Sequence, residues 1–510
     1  MAFLLSATIS YAQQQKRPNI IFILSDDHAY QATSAYGNKL ILTPNIDRIA
    51  REGALLTNNF VANSICGPSR ATLLTGKYSH KNGYMFNERK FDVNQETFPV
   101  LLQQNGYQTA WIGKLHLGSL PIGFDYFNIL PGQGQYYNPD FIDNHNDTVR
   151  YKGYVTNLIS GFFFDWLQKR DTTKPFFVVV GEKATHREWL PDIRDLGAYD
   201  NIDFPLPKTF YDNYDSRPAA KDQDMSIDKT MRLKEDLKVH QDFAASPGTK
   251  GQGGAGYSPY NRFDAEQKKA YDDYYGKISR EFDEKKLSGK DLIQWKFQRY
   301  LKDYYATARS LDRNIGRILD YLDSTGLSRN TVVIYSSDQG FYLGEHGWFD
   351  KRFIYEESLK TAFLARFPGV IRPGTIVNGL ISNIDWAPTI LDMAGAKIPA
   401  EIQGRSFLPL LAGKQISDWR KDVYYHYYEY PEPHHVSPHF GIRTQDFMLV
   451  RFYHGVESWE LFDLKKDPDE LKNVYGDKKY AATVADLKKR LKNLIVQYED
   501  TEALGIFGNK

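Results

Sequence analysis

The hydrophobic pattern divides this chain into short unbroken apolar runs and longer stretches with helical spacing. Residues 19–24 (NIIFIL), 176–180 and 331–335 are continuous apolar runs, the pattern of strands buried on both faces of a parallel sheet. Residues 304–323, just before the third run, carry apolar positions at helical spacing. The alternation predicts an α/β fold, a mostly parallel, doubly wound sheet flanked by helices. Ligands of such sheets bind beyond the carboxyl ends of the strands, where this chain places Ser25-Asp26-Asp27-His28 and Ser336-Ser337-Asp338-Gln339-Gly340. Between 200 and 303 the composition shifts to charge, Tyr, Gly and Pro, including the Gly-rich run 248–254. This predicts an insertion within a catalytic body spanning 13–400. Beyond it, strands near 424–430, 448–453 and 460–463 and a helix near 482–498 predict a smaller α+β subdomain over 401–510.

Composition narrows the chemistry. Among 510 residues, 64 Lys and Arg balance 63 Asp and Glu. That argues against a global attraction to nucleic acid, although local basic groups can still bind an anion. The single cysteine excludes an internal disulfide framework and any multi-cysteine zinc site. Residues 1–12 form a short apolar stretch closing on Ser10-Tyr11-Ala12, which resembles the tail of a secretory signal and predicts a secreted or periplasmic protein. No later stretch offers the roughly 20 apolar residues of a membrane span.

The lone Cys66 lies in Cys66-Gly67-Pro68-Ser69-Arg70-Ala71-Thr72-Leu73-Leu74-Thr75-Gly76. Pro68 predicts a helix start, with Cys66 at the positive end of the helix dipole and Arg70 pointing back toward it. Asp26-Asp27 and Asp338-Gln339 offer oxygen ligands from two strand ends. An oxygen-only set favours a hard cation, Ca²⁺ or Mg²⁺. Lys114 and His116, then His186, then Lys351 and Arg352, add cations and titratable groups at further loops. Each alone is an ordinary loop residue, and Cys66 alone is an ordinary buried thiol.

Together they resemble a family. Cys66-x-Pro68-Ser69-Arg70 with Leu74-Thr75-Gly76 is similar to the signature of the type I, formylglycine-dependent sulfatases. Gly106-Tyr107-x-Thr109 through Lys114-x-His116 resembles their second signature, with Leu115 where Trp is common. The strand-terminal aspartates and Glu460-Leu461-Phe462-Asp463-Leu464 continue the match over most of the chain. Gln339 stands where Asn or His is more usual. Asp338–Phe341 and Asp350–Glu356 look most like the N-acetylglucosamine-6-sulfatase branch. The resemblance implies that a maturase oxidises Cys66 to Cα-formylglycine (3-oxoalanine), whose hydrate attacks sulfur and later expels sulfate. It implies Asp26, Asp27, Cys66, Asp338 and Gln339 as ligands of Ca²⁺, with Mg²⁺ the alternative. Arg70 and Lys114 would stabilise charge, His116 would take the diol proton, and His186 and Lys351 would face the sulfate. The expected substrate is a sulfated glycan carrying 6-O-sulfated glucosamine, as in heparin and heparan sulfate. Trp348, Arg352, His435 and Arg443 are further expected sugar contacts, drawn from Tyr-rich and basic segments near the pocket. Other readings keep the fold with another sulfated glycan, or with a phosphodiester or phosphonate monoester. A thiol hydrolase using Cys66 with His116, and a glycan-binding protein without catalysis, are more distant alternatives.

Overall fold

The computed structural model describes residues 17–87, 89–243 and 259–508. The expected leader at 1–12 and the Gly-rich run 248–254 lie outside the described residues. Ten strands form one twisted sheet, in the spatial order Thr375–Val377, Ala54–Leu56, Phe363–Arg366, Thr331–Ser337, Asn19–Ser25, Phe176–Gly181, Gln108–Lys114, Tyr126–Leu130, Asp140–Asp143 and Thr148–Arg150. The five central strands, from Thr331–Ser337 to Tyr126–Leu130, run parallel. Antiparallel pairings appear only toward the edges. The architecture is thus the mostly parallel, helix-flanked sheet expected from the alternating pattern.

Side-chain alternation explains the two-faced core. In Asn19–Ser25, Ile20, Phe22 and Leu24 face one layer, where they join Leu73 and Leu74 of the helix Cys66–Thr75 and Ile390 of Trp386–Met393. Ile21 and Ile23 face the other, with Ile159 and Phe163 of Val155–Lys169 and Leu311, Ile315 and Ile318 of Gly289–Ser324. Both faces being covered, a continuous apolar strand is the stable solution.

The helix Gly289–Ser324 runs 36 residues and passes through position 303 without a break. Its charged residues Lys296, Arg299 and Asp303 are buried because each is paired: Lys296 Nζ donates to the Asp228 and Met231 carbonyls, and Arg299 pairs with Asp303. Such pairing hides a core helix from a hydrophobicity reading.

At the carboxyl-terminal end, four antiparallel strands, Asp422–Tyr427, His439–Thr444, Phe447–Phe452 and Ser458–Asp463, form a second sheet. One face packs under Leu487, Leu491 and Ile495 of the helix Ala481–Gln497. The other packs on Trp348, Phe353 and Tyr355, beside the site. Among the described residues no helix is long and apolar enough to cross a membrane.

Candidate active site

Four parallel strands end at one cavity of about 590 Å³. Asn19–Ser25 and Thr331–Ser337 pair with Ser25 opposite Ser337, so Asp26-Asp27 and Asp338-Gln339 emerge side by side. The neighbouring strands Phe176–Gly181 and Gln108–Lys114 deliver Lys183 and His186, and Lys114 and His116. Cys66 arrives from the helix Cys66–Thr75, whose N-cap is Ile65. The helix thus opens two residues before Pro68, and Cys66 occupies its first turn, at the positive end of the helix dipole; the Gly67 N–H there is spent on Asn87 Oδ1 at 2.9 Å. Gly76, at φ 63°, stops it in the left-handed conformation.

Carboxylate oxygens of Asp26, Asp27 and Asp338 all lie within 4.8 Å of one another, as do ligand atoms of Asp26, Cys66 and His186. All five side chains are buried. Cations surround them. Lys114 Nζ donates to Asp26 and, at 2.6 Å, to Gln133 Oε1. Arg70 Nε donates to Asp338 Oδ2 at 2.9 Å and its Nη1 to the Lys114 carbonyl at 2.7 Å. Lys351 Nζ donates to Asp27 Oδ2 at 2.7 Å. Gln339 Nε2 donates to Asp27 and stands 3.6 Å from Cys66 Sγ.

The donor set fits a hard divalent cation. Asp26 Oδ1 and Gln339 Oε1 are buried without a partner, and exchanging the ends of the Gln339 amide turns that orphaned oxygen toward Asp27. Burial, then the charge of Asp26, pushes the Asp338 carboxyl up to about 8. Burial also raises Asp27 against the pull of Lys351. Asp26 goes the other way: burial would raise it, but Lys114, His186, Arg70 and Lys351 together hold it well below the usual range. The cluster has more carboxylates than its own cations keep ionised, and an added divalent cation relieves that imbalance.

Cys66 itself is unsuited to act as a thiol. Burial pushes it up to about 12, while burial and then Lys114 hold His116 well below its ordinary value. A thiol hydrolase needs the opposite shifts, toward thiolate and imidazolium. The neutral His116 retains basic capacity, and its buried Nδ1 has no partner. His186 is also neutral, lowered by burial and then Lys114. Its Nδ1 meets the Arg187 carbonyl and its Nε2 faces Asp27 Oδ2 at 4.0 Å. Asp27, His116, Asp350 and Arg352 all have φ between 57° and 91°, and non-glycine residues held there cost about 1–3 kcal/mol each, a strain that clusters at functional sites.

Of the expected sugar contacts, only Arg352 reaches the cavity, paired with Asp350 at 2.7 Å and touching His434 Nε2 at 2.7 Å. Trp348 is core: it stacks on Tyr214 and donates to the Tyr214 hydroxyl at 2.7 Å. His435 points outward to Asp222 at 3.2 Å, while His434 takes the inward place. Arg443 is spent on Glu356, by two bonds of 2.9 and 3.1 Å. The cavity instead recruits Asn87, Gln133, Lys183, Glu188, Arg262, Asp350 and His434. Asp350 lies in the short strand Phe349–Asp350 and opens the segment Asp350–Glu356 already singled out in the sequence, and His434 adjoins His435; the others come from loops with no motif of their own.

Fold and site together define a hydrolase built on a doubly wound sheet, with a buried, oxygen-rich cation cluster facing a residue at a helix start. Residues 18–396 match the family described as Sulfatase, and residues 344–497 the one described as N-sulphoglucosamine sulphohydrolase, C-terminal. The chain belongs to the sulfatase family and is a sulfuric ester hydrolase. It is 47% identical over 496 residues to an N-acetylglucosamine-6-O-sulfatase of Bacteroides thetaiotaomicron, covering 96% of this chain and 88% of that one. An N-acetylglucosamine-6-sulfatase of Capra hircus is 27% identical, covering 82% of this chain and 67% of that one. A solved protein in complex with its substrate D-glucosamine-2-N,6-O-disulfate superposes with a TM-score of 0.92 at 46% identity, over 95% of this chain and 99% of that one.

Proposed function

We propose that this enzyme hydrolyses the 6-O-sulfate of glucosamine residues, N-acetylated or N-sulfated, in heparin- and heparan-sulfate-type glycosaminoglycans. The observation that carries the reading is the match to the Bacteroides N-acetylglucosamine-6-O-sulfatase over 96% of the chain. The cavity agrees with it, being large enough for a sugar and ending at Cys66 among cations.

In this reading a maturase converts Cys66 to Cα-formylglycine, and the hydrated aldehyde supplies the hydroxyl nucleophile that a thiol held near 12 does not. A hard cation, Ca²⁺ with Mg²⁺ the alternative, held by Asp26, Asp27, Asp338, Gln339 and modified Cys66, would supply positive charge for the sulfate oxygens. The remaining work falls to the chain's own side chains. Lys114 and Lys351 face the anionic ester from two sides, and Arg70, locked on Asp338, fixes the charge behind Cys66. His116 accepts the hydroxyl proton. The anion raises the proton affinity of His186, whose Nε2 then passes a proton to the leaving sugar oxygen. Export is part of the reading, on the leader pattern at 1–12, and amino-terminal sequencing of extracellular or periplasmic protein tests it.

The test is a panel of sulfated mono- and disaccharides, followed by free sulfate, with enzyme from a host that has the maturase. Release from 6-O-sulfated glucosamine is expected. Release only from 2-O-sulfated uronate or 4-O-sulfated galactosamine overturns the substrate, and faster turnover of a phosphate diester than of an aryl sulfate overturns the sulfate ester as the preferred bond.

A further inference from the structure

The cavity is lined by more basic groups than one sulfate ester needs. Five basic side chains other than histidine line it: Lys183, Arg187, Arg262, Lys351 and Arg352. Four are paired with carboxylates, Arg187 with Asp236, Arg262 with Asp140, Lys351 with Asp27 and Arg352 with Asp350. Lys183 is different. It is 1% exposed, yet among the described residues it has no carboxylate within 4.0 Å. Its Nζ donates once, to the Gln133 carbonyl at 3.1 Å, and rests 4.8 Å above the ring of Tyr136. Two of its three donors are unspent. Glu188 in the same cavity wall, then Asp26 and Asp27, act on it from beyond ion-pair distance; a buried ammonium with no ion pair and two unspent donors is costly to fold, and its place at the wall of a cavity points to an anion that arrives from outside.

Arg187, four residues further along the same loop, completes the arrangement. Its Nε and Nη2 are fixed on Asp236 at 2.7 and 2.8 Å, and among the described residues Nη1 has no partner. The loop is pinned from behind as well. Lys238 Nζ donates to the carbonyls of Glu188 and Trp189 at 2.6 and 3.1 Å and pairs with Asp303 at 3.2 Å. Lys183 and Arg187 therefore flank His186 as preorganised donors, and binding loses little freedom there.

We propose that Lys183 and Arg187 form a second anion subsite, which takes the N-sulfo group of a 6-O-sulfated glucosamine. The inference rests on the substrate reading above. One sulfate of a doubly sulfated sugar occupies the Cys66 end, under Lys114, Lys351 and His186. The other needs charge elsewhere in the same cavity, and Lys183 with the free edge of Arg187 supplies it. The N-acetyl sugar lacks that anion and gains nothing from either residue's charge.

The experiment measures kcat/KM for N-sulfo- and N-acetyl-glucosamine 6-sulfate with the matured enzyme and with Lys183→Met and Arg187→Met. The expected result is that the ratio of N-sulfo to N-acetyl falls at least fivefold in each variant, through KM. A smaller change in the ratio, including an equal loss on both sugars, overturns the subsite. Because burial of Lys183 puts its variant at risk of misfolding, Arg187→Met carries the test if Lys183→Met is insoluble. A second readout is N-sulfoglucosamine without the 6-sulfate, used as a competitive inhibitor, whose inhibition constant should rise at least fivefold in the variants. Wild-type enzyme that cleaves the N-acetyl sugar but not the N-sulfo sugar sinks the subsite alone. Enzyme that cleaves neither sinks the substrate reading instead.

Discussion

At the scale of single residues, the environment of Cys66 decides what the site can be. A thiol pushed up to about 12 stays protonated at neutral pH, so unmodified Cys66 in the folded chain should resist iodoacetamide at pH 8 and react only after denaturation, as peptide mass spectrometry would read. Cys66→Ala should lose essentially all sulfate release. Its neighbour is constrained too. A Cβ on Gly67 would stand 2.6 Å from Tyr84 Cε1, 2.9 Å from Asn87 Oδ1 and 3.1 Å from the His116 carbonyl. Since Tyr84 is 1% exposed, its ring has nowhere to go. Gly67→Ala should lower kcat by roughly 100-fold, the scale of a 1 Å misplacement at a reacting centre, and lower Tm as well, since such overpacking costs about 1–3 kcal/mol. The sequence exposes Cys66, Arg70, Lys114 and the aspartates because short motifs hold them at strand ends and a helix start. It hides Lys183 and Asn87, whose place depends on how separate loops converge.

At the scale of elements, the buried helix Cys66–Thr75 is held at its far end by Gly76, where the Gly76 N–H donates to the Thr72 carbonyl at 2.8 Å. A side chain there would have to accept φ 63° and a Cβ contact of 2.8 Å with Ile402 Cγ2. Gly76→Ala should cost about 1–3 kcal/mol, a drop of about 1–4 °C in Tm for a chain of this size, measured by thermal denaturation. Strand legibility follows the same logic. Asn19–Ser25 and Thr331–Ser337 are read easily because neither face needs a polar residue. His439–Thr444 goes unread because His439, Arg443 and Thr444 are buried by pairing rather than by hydrophobicity. Arg443 in particular looks like a free sugar contact until Glu356 is seen beside it.

At the scale of the whole molecule, two predictions concern how parts hold each other. Exhaustive chelation should reduce sulfate release at least 100-fold, with recovery on adding Ca²⁺ or Mg²⁺; full activity after verified metal removal would exclude the oxygen cluster as a cation site. The second concerns the seam between the carboxyl-terminal sheet and the catalytic body. Glu460, in the strand Ser458–Asp463, accepts from the Tyr355 hydroxyl at 3.3 Å. Burial raises its carboxyl from 4.5 to about 8. A group raised on folding contributes stability that is complete below the unfolded value and is lost as pH climbs through the folded one. The loss therefore develops between about 4.5 and 8. Glu460→Gln, which never ionises, should flatten that decline, so that its Tm at pH 9 gains about 5 °C on wild type relative to the difference at pH 4.5; parallel Tm profiles would show that Glu460 does not link this seam to pH.

The register of Ser25 against Ser337 also sets a clock. Cys66 is enclosed only when Asp338 and Gln339 arrive, some 270 residues later in the chain. At ribosomal rates of about 5–20 residues per second, the cysteine waits for roughly 15–55 s before its cavity can close. On the maturation proposed above, an oxidising partner would have that interval, and afterwards would meet a side chain with no exposed surface. The fraction of active enzyme would then be fixed by a race between closure and oxidation, and slowing synthesis or folding should raise it.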